Sequence, residues 1–578
     1  MENDSTFVAP EGVYSVTEEH KPTSHTINAV PTLYPTKLAT AVVRFPAAKS
    51  AAQGLAHLLG GGGNRDRDGK KEKALRPEDA SISSSDTEDS PSQSNPDAST
   101  SISPESTPQT LFSPSRPSTG RRRTATRPKH NMRTTSSTFI TRLHTVEGLT
   151  RVLQSKSGDV TFLFYNSAKS FFWTEAGSKA KEPLARITFS AYPTCHDVNR
   201  ATLSPDRMDV IIGFTTGDLV WFDPITSRYG RLNKGGCITS SPCTAVRWVP
   251  QSPTLFLVSH ADGTILVYDK EREDFASFVP SEPVGEDGGE WDPNTSAYVT
   301  MPPWHPAAGA NMTGGMDEKD RKEKDKAKNP VSHWRVSKRS IVDFVFSPDV
   351  KYVAAISEDG CLRIIDALAE QLIDCYASYF GALTCVAWSP DNRFVLTGGQ
   401  DDLVTIVSPW EQRVIARCQG HSSFVSAVAF DDLRCDGRTY RFGSVGEDNK
   451  LILWDFSSGA LHRPKLQGNA HHQRMSMSST VSLSMAVRSR LNLPPGAMDA
   501  MSRYHPAPSR NEVAVVQPVL VKHLENDILV DIAFLPRGML TSTKTGQIKL
   551  WIRPLAMRSR QTRNGHRGYA SADTSDLI

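Results

Sequence analysis

The stretch QGHSSFVSAVAFDDLRCDGRTYRFGSVGEDNKLILWDF, residues 419–456, opens on Gly420-His421 and closes on Trp454-Asp455. Between these pairs lie three short segments in which apolar residues alternate with small or polar ones, broken by Asp and Gly turn signals. A period of two marks strands with distinct faces. A Gly-His start and a Trp-Asp end mark one blade of a β-propeller. Such a unit cannot bury both faces of its own sheet, so it predicts neighbours of the same kind.

The neighbours emerge on aligning the tight turn before the last apolar segment of each unit. Gly217 precedes LVWFD, Gly263 precedes TILVYD and Gly360 precedes CLRIID; Asp402 precedes LVTIVS, Asn449 precedes KLILWD and Gly546 precedes QIKLWI. Successive spacings are 46, 97, 42, 47 and 97 residues. The short ones lie in or near the roughly 40–45 residues of one WD blade. Each long one reads as a blade plus an insertion. Residues 271–329, with GEDGGEWDPN and DEKDRKEKDKAK, do not alternate as strands do, and neither do residues 457–520, with HHQRMSMSSTVSLSM and PPGAMDAMSRYHPAPSR. Long surface insertions cost little closure entropy. A further blade stands in front, in Thr161–Ser167 and Lys169–Glu175, where Trp173 takes the place of Trp454. The expected fold is all-β: a seven-bladed WD-repeat β-propeller over residues 136–555, with Ser136–His144 pairing onto the last blade. Closing the ring removes exposed sheet edges.

Composition separates that body from its ends. All ten Trp of the 578 residues lie beyond residue 135, whereas residues 1–135 are crowded with Ser, Thr, Pro, Gly and charge. Such a segment buries too little apolar surface to offset its ordering entropy, and a long disordered N-terminal tail is expected, with a second tail at 556–578. Ser90, Ser103, Thr107 and Ser113 each precede Pro, as phosphoacceptors do, or simply reflect Ser/Pro-rich disorder. Arg121–Arg123 with Arg127 and Lys129 reads as a solvated basic patch or a nuclear import signal. Gly60–Gly63 and Gly69-Lys70 have neither the following Ser/Thr nor the preceding strand of a phosphate loop. A net charge of +3 gives no drive toward nucleic acid, and no apolar run is long enough for a membrane span. The eight Cys form no Cys-x-x-Cys pair, so reduced, mostly buried thiols are expected in the cytoplasm or nucleus.

His421, Ser444 and Asp448 spell a hydrolase triad by residue type. Inside a propeller repeat, however, a starting His, a second-strand Ser and a turn Asp bond to one another and to Trp454. The four are therefore assigned a structural role as a buried polar network. No Gly-x-Ser-x-Gly elbow is present. Cys385 and Cys418 sit in apolar strand patterns without a local activating His, and His471-His472 lacks spaced metal-ligand partners. No catalytic centre, cofactor, metal or small-molecule substrate is expected. Phe344, Tyr379, Phe380, Trp388 and Phe424 fall in or just before the first strand of three successive blades. They are the candidate anchors for a protein partner, since interface hot spots favour buried-on-binding aromatics. On this reading Trp388→Ala weakens partner capture and leaves melting nearly unchanged.

GFTTGDLVWFDP (213–224), NPVSHWRVS (329–337), EDGCLRIIDA (358–367), YFGALTCVAWSPD (379–391), GGQDDLVTI (398–406) and FGSVGEDNKLILWDF (442–456) are more specific than generic repeats. Together with RLNKGG (231–236) and VIARCQGH (414–421), they resemble the fungal catabolite-repression family of CreC and, more distantly, the animal WD-repeat protein 20 family. The resemblance spans roughly Thr135–Pro554. It implies a non-catalytic scaffold that binds, stabilises and activates a ubiquitin-specific protease (CreB-like), in a deubiquitination pathway controlling carbon catabolite repression. Val407 stands where that family has Trp, which puts the polar network of one blade in doubt. The alternative, a substrate receptor of a ubiquitin ligase, expects Trp-Asp-x-Arg; here Trp454-Asp455 is followed by Phe456-Ser457.

Overall fold

The computed structural model describes residues 5–21, 34–47, 112, 126–178, 182–285, 288–309, 327–457, 459, 503–524 and 527–554. These residues build seven sheets, each with four antiparallel strands at its heart, the blades of a β-propeller. Strands a to d run from the innermost outward. Blade 1 takes strand a from Leu38–Phe45 and strands b to d from Gly158–Ser167, Ser170–Glu175 and Ala185–Phe189. Blade 2 occupies Pro193–Val198, Val210–Phe214, Leu219–Asp223 and Arg228–Leu232. Blade 3 occupies Cys243–Trp248, Leu255–His260, Thr264–Asp269 and Ser332–Arg335. Blade 4 runs through Ile341–Phe346, Tyr352–Ser357, Cys361–Asp366 and Gln371–Ala377, and blade 5 through Leu383–Trp388, Val395–Gly399, Leu403–Ser408 and Arg413–Gln419. Blade 6 has Val425–Phe430, Thr439–Gly446, Lys450–Ser457 and Pro518–His523. Blade 7 has Leu529–Leu535, Gly538–Thr543 and Ile548–Ile552, completed by Gly12–His20.

The inner strands bury apolar side chains on both faces, so each blade needs cover on both sides. The core accordingly divides into seven buried apolar clusters, one in every space between neighbouring blades. The a strands of successive blades touch one another all the way round, including blade 7 against blade 1. In blades 3 to 7 the a–b pairing shifts by one residue near the start of strand a, skipping Thr244, Val342, Thr384, Ser426 and Val530. A bulge of this kind reverses which face the following side chains occupy.

The ring is shut by the N-terminus, which corrects two expectations. Gly12–His20 pairs antiparallel with Ile548–Ile552 as strand d of blade 7, and Thr6–Ala9 adds a fifth strand outside it. Leu38–Phe45 pairs with Gly158–Ser167 as the innermost strand of blade 1. The propeller therefore begins at Thr6, not near residue 136, and the expected tail of 1–135 contains strands that the ring requires. Ser136–His144 is expected from the sequence to pair onto the last blade; the strand found there, Ile140–Thr145, instead lies outside blade 1 against Ala185–Phe189.

The two insertions also supply strands. Tyr298–Thr300 lies outside strand d of blade 3. The second insertion leaves blade 6 between strands c and d, and its returning part runs parallel to the outer strands of two earlier blades. Arg503–His505 pairs with blade 4 and Ala514–Val516 with blade 5. Outer strands along the rim cover edges that would otherwise template aggregation. All eight cysteines are free thiols, Cys237 and Cys435 half-buried and the rest buried. Among the described residues no helix is long and apolar enough to cross a membrane. The Ser/Thr-Pro sites, Arg121–Arg123, the glycine-rich stretch 60–70, His471-His472 and the 556–578 tail lie outside the described residues.

Candidate functional site

His421, Ser444, Asp448 and Trp454 come together in blade 6. The imidazole Nδ1–H donates to the Asp448 carboxylate at 3.0 Å, leaving Nε2 to accept from the Ser444 hydroxyl at 2.7 Å. The Trp454 indole N–H donates to the same Ser444 oxygen at 2.8 Å. This assignment of protons satisfies every member of the network. Burial pushes the Asp448 carboxyl upward, but the bonds from His421 and the Ser422 N–H outweigh it and hold the group well below the usual carboxylate range. The distances are those of a triad, yet Ser444 is completely buried and its oxygen is occupied by an indole N–H, so no acyl group can reach it. What the arrangement does is tie the turn before strand c to the start of the blade. Gly446 is required by that closeness: a Cβ there would lie 2.8 Å from the Phe424 carbonyl oxygen and 2.9 Å from His421 Nδ1. Blade 7 has a shorter version, Trp551 Nε1–H to Thr541 Oγ1 at 3.0 Å. In blade 5 Val407 occupies the tryptophan position, buried in the cluster shared with blade 4, and strands b and c remain fully paired.

The five aromatic candidates separate into two groups. Phe344 is completely buried between blades 3 and 4. Trp388 is only 9% exposed and stacks on Tyr352 with ring centroids 6.4 Å apart. Both are core, which overturns their assignment as anchors; they lie beyond the bulge of strand a, where parity turns their rings into the sheet packing. Trp388→Ala should thus cost about 3–5 kcal/mol, seen as a clear fall in melting temperature; an unchanged melt would contradict this placement.

Phe380 and Phe424 do face outward, at 73% and 39% exposure, and Tyr379 is half-buried beside Phe380. All three sit in the d-to-a connections at blades 4–5 and 5–6, on the same end of the propeller. The connection carrying Tyr379 and Phe380 is held rigidly. Ser378 N–H donates to the Gly360 carbonyl at 2.7 Å, Tyr379 N–H to Asp401 at 3.3 Å and Ala382 N–H to Gln400 Oε1 at 3.0 Å. Gly381 adopts φ 64°, and a Cβ on it would meet the Gln400 side chain at 2.7 Å. The Phe424 carbonyl in turn accepts from Glu447 N–H at 2.9 Å. Fixed backbone under exposed rings is the arrangement that lowers the entropic cost of docking. Trp410, 72% exposed in the c-to-d turn of blade 5, was not a sequence candidate; its setting in the turn SPWEQ was the available signal.

Other chemistry is sparse. A cleft of about 790 Å³ between the Gly12–His20 strand and blade 1 is lined by Glu18, Glu175, Lys156 and Arg186, whose charges largely pair within its walls. Among the described residues no group of three His, Cys, Asp or Glu side chains is placed to hold a metal ion.

Comparison with known proteins agrees with this geometry. The family described as WD domain, G-beta repeat matches residues 373–408, which run from strand d of blade 4 through strand c of blade 5. The chain is also 36% identical over 439 residues to the UBP9-binding protein bun62 of Schizosaccharomyces pombe, covering 72% of this chain and 75% of that one. The chain belongs to the bun62 family of WD-repeat proteins. The match is far longer than any one repeat, so membership of the family does not rest on the WD signature alone.

Proposed function

We propose that the chain is a non-catalytic partner of a ubiquitin-specific protease and docks it through the blade 4–6 end of the propeller. The observation that carries this reading is the kinship, over most of both chains, with a protein named for binding UBP9. The site supports it physically. Phe380 and Phe424 present apolar rings on adjoining blades, on connections whose backbone is already fixed, and Tyr379 flanks them. By holding the protease in its active conformation more tightly than in others, such a platform raises turnover and stability without contributing a reacting group. Through the resemblance to CreC, the complex acts in carbon-source regulation.

The test uses the purified full-length chain and a UBP9-related protease. The double variant Phe380→Ala/Phe424→Ala is expected to bind about 30-fold more weakly, the effect of losing a hot spot worth about 2 kcal/mol. Its melting temperature stays that of the wild type because both rings are exposed. Undiminished affinity in the double variant would remove this face from the account. Capture of a cullin adaptor in place of the protease would favour the ligase-receptor alternative.

A further inference from the structure

Eight thiols are present, and two pairs of them are close. Cys195 and Cys243, on the a strands of blades 2 and 3, press against Gly213 from neighbouring blades, where a Cβ would meet both sulfurs. Both are buried in apolar surroundings; burial pushes the Cys195 thiol up to about 12 and raises the Cys243 thiol well above its ordinary value. Thiols held this way are inert, because the thiolate is the reactive species.

The other pair is built differently. Cys361 begins strand c of blade 4 and Cys375 lies in strand d. Cys361 is opposite Ala377 and Cys375 is opposite Arg363, so the two cysteines are diagonal neighbours on one face of the sheet. Both thiols donate to the same acceptor, Asn294 Oδ1, at 3.9 Å each, so this side chain from the first insertion caps the pair. Arg363 stands alongside, its guanidinium fixed by Asp359, Ser357 and the Pro293 carbonyl. The adjacent Cys375 thiol and the Arg363 charge draw the Cys361 thiol below its ordinary value against the effect of burial, while Cys375 is pushed up. Cys361, at the start of strand c and 6% exposed where Cys375 is fully buried, is the sulfur a small oxidant meets first, and the fixed Arg363 guanidinium beside it favours the thiolate; Cys375 is placed as the resolving thiol.

We propose that Cys361 and Cys375 are a peroxide-oxidisable dithiol that closes to a reversible disulfide between strands c and d of blade 4. The Cys361 thiolate attacks one oxygen of hydrogen peroxide and breaks the O–O bond; the departing hydroxide takes up a proton and leaves as water. Cys361 is then a sulfenic acid. The Cys375 sulfur attacks the Cys361 sulfur, the S–O bond breaks, and the hydroxyl leaves as a second water with the Cys375 proton. Two thiols have lost two electrons, and one peroxide has become two waters. Diagonal neighbours start at roughly 7–8 Å or somewhat less, and a disulfide needs Cβ atoms about 3.5–4.5 Å apart. Strand d must therefore shift. It has the slack to do so, because the c–d register slips between Ile364 and Ile365, leaving Ile373 as an extra residue two positions before Cys375.

The shift would occur at the root of the Ser378–Ala382 connection, since Cys361 pairs with Ala377 and the Gly360 carbonyl holds Ser378. Oxidation therefore moves the support of Tyr379 and Phe380 and weakens protease docking, a consequence that rests on the function proposed above. The expected loss is at least about 5-fold, the lower end of usual coupling between sites.

The test treats the full-length chain with hydrogen peroxide, quenches with catalase, alkylates the remaining thiols and maps them by mass spectrometry. Chymotrypsin is needed, because no Lys or Arg separates Cys375 from Cys385. The expected product is a Cys361–Cys375 cross-linked peptide that dithiothreitol abolishes, with Cys195 and Cys243 still reduced. Cys375→Ser should leave Cys361 as a sulfenic acid trapped by dimedone. Reduced Cys361 and Cys375 after Cys237 and Cys435 have been modified, a Cys195–Cys243 bond, or Cys361 passing straight to sulfinic acid would each overturn the dithiol. Protease affinity is then measured before and after peroxide. If the disulfide forms and affinity is unchanged, the coupling fails and the dithiol stands; if the untreated chain never binds the protease, the docking reading fails and the mapping is unaffected.

Discussion

Deletion of Met1–Lys21 is expected to abolish the cooperative melting transition of the propeller. The segment supplies strand d of blade 7, pairing Ser15 with Ile552 and His20 with Ile548, at the far end of the sequence. Phe7 and Tyr14, 6% and 1% exposed, stack at 4.7 Å, and Phe7 lies 5.2 Å from the Trp551 ring. Glu11 accepts two bonds of 2.9 Å from Arg441 in blade 6 and one of 2.6 Å from the Tyr14 hydroxyl. Burying two such aromatics contributes about 1.5–3 kcal/mol each. Removing one partner of a buried ion pair costs about 3–5 kcal/mol, here lessened because Asp455 still holds Arg441. The sum, on the order of 6 kcal/mol, falls within the ~5–15 kcal/mol by which whole domains are stable. Loss of the strand also bares the edge of Ile548–Ile552, so aggregation should accompany it. A peptide of residues 5–21 added in trans is expected to restore the transition. A truncated chain that melts like the full-length one would show that the ring is closed by other means.

The second large effect is expected at Lys270, immediately after strand c of blade 3. Its side chain is fully buried, with Nζ 2.9 Å from Asp209 Oδ2, just before strand b of blade 2. The ammonium lies 4.8 Å from the Trp221 ring centroid and 5.4 Å from that of Trp248. Asp209 also accepts from Thr202 at 2.6 Å, Arg207 at 3.0 Å and the Trp221 indole N–H at 2.8 Å. Burial pushes the Asp209 carboxyl up, but Lys270 and the hydroxyl and guanidinium donors outweigh it and hold the group below its ordinary value. One cation thereby fastens two blades. Lys270→Ala removes the charge and opens a space between two indoles, at an expected cost of about 3–5 kcal/mol. Lys270→Met keeps most of the volume, so the difference between the variants isolates packing from charge. Urea midpoints measure both; an alanine variant with the wild-type midpoint would mean the pair contributes nothing to the ring.

Much of this was legible in residues 161–552 because each blade repeats its own turn signals. Asp402, Asn449 and Gly546 do stand in the turns before strand c of blades 5, 6 and 7. Gly420-His421 and Trp454 point in the sequence to the residues that hydrogen bonds join in blade 6. The closure was missed for a physical reason: Gly12–His20 and Leu38–Phe45 are short alternating runs inside a polar, Ser- and Pro-rich segment whose average composition hides them. Their partners lie far off in sequence, so no local spacing announces them. The aromatic candidates divided according to the bulge in strand a. Phe344 and Trp388 follow the skipped residue and turn inward, whereas Phe380 and Phe424 precede their strands and stay in the connections. Period-two reading cannot anticipate a one-residue slip. Cys361 and Cys375 lie 14 positions apart without a motif, and only the c–d register brings them together.

The measurement that bears most directly on the central claim is a titration of a UBP9-related ubiquitin-specific protease with the purified full-length chain, following hydrolysis of a fluorogenic ubiquitin substrate. The account predicts no hydrolysis by the chain alone and a saturable rise in protease turnover as the chain is added. Hydrolysis by the chain itself, or a protease rate indifferent to a saturating excess of it, would contradict the account.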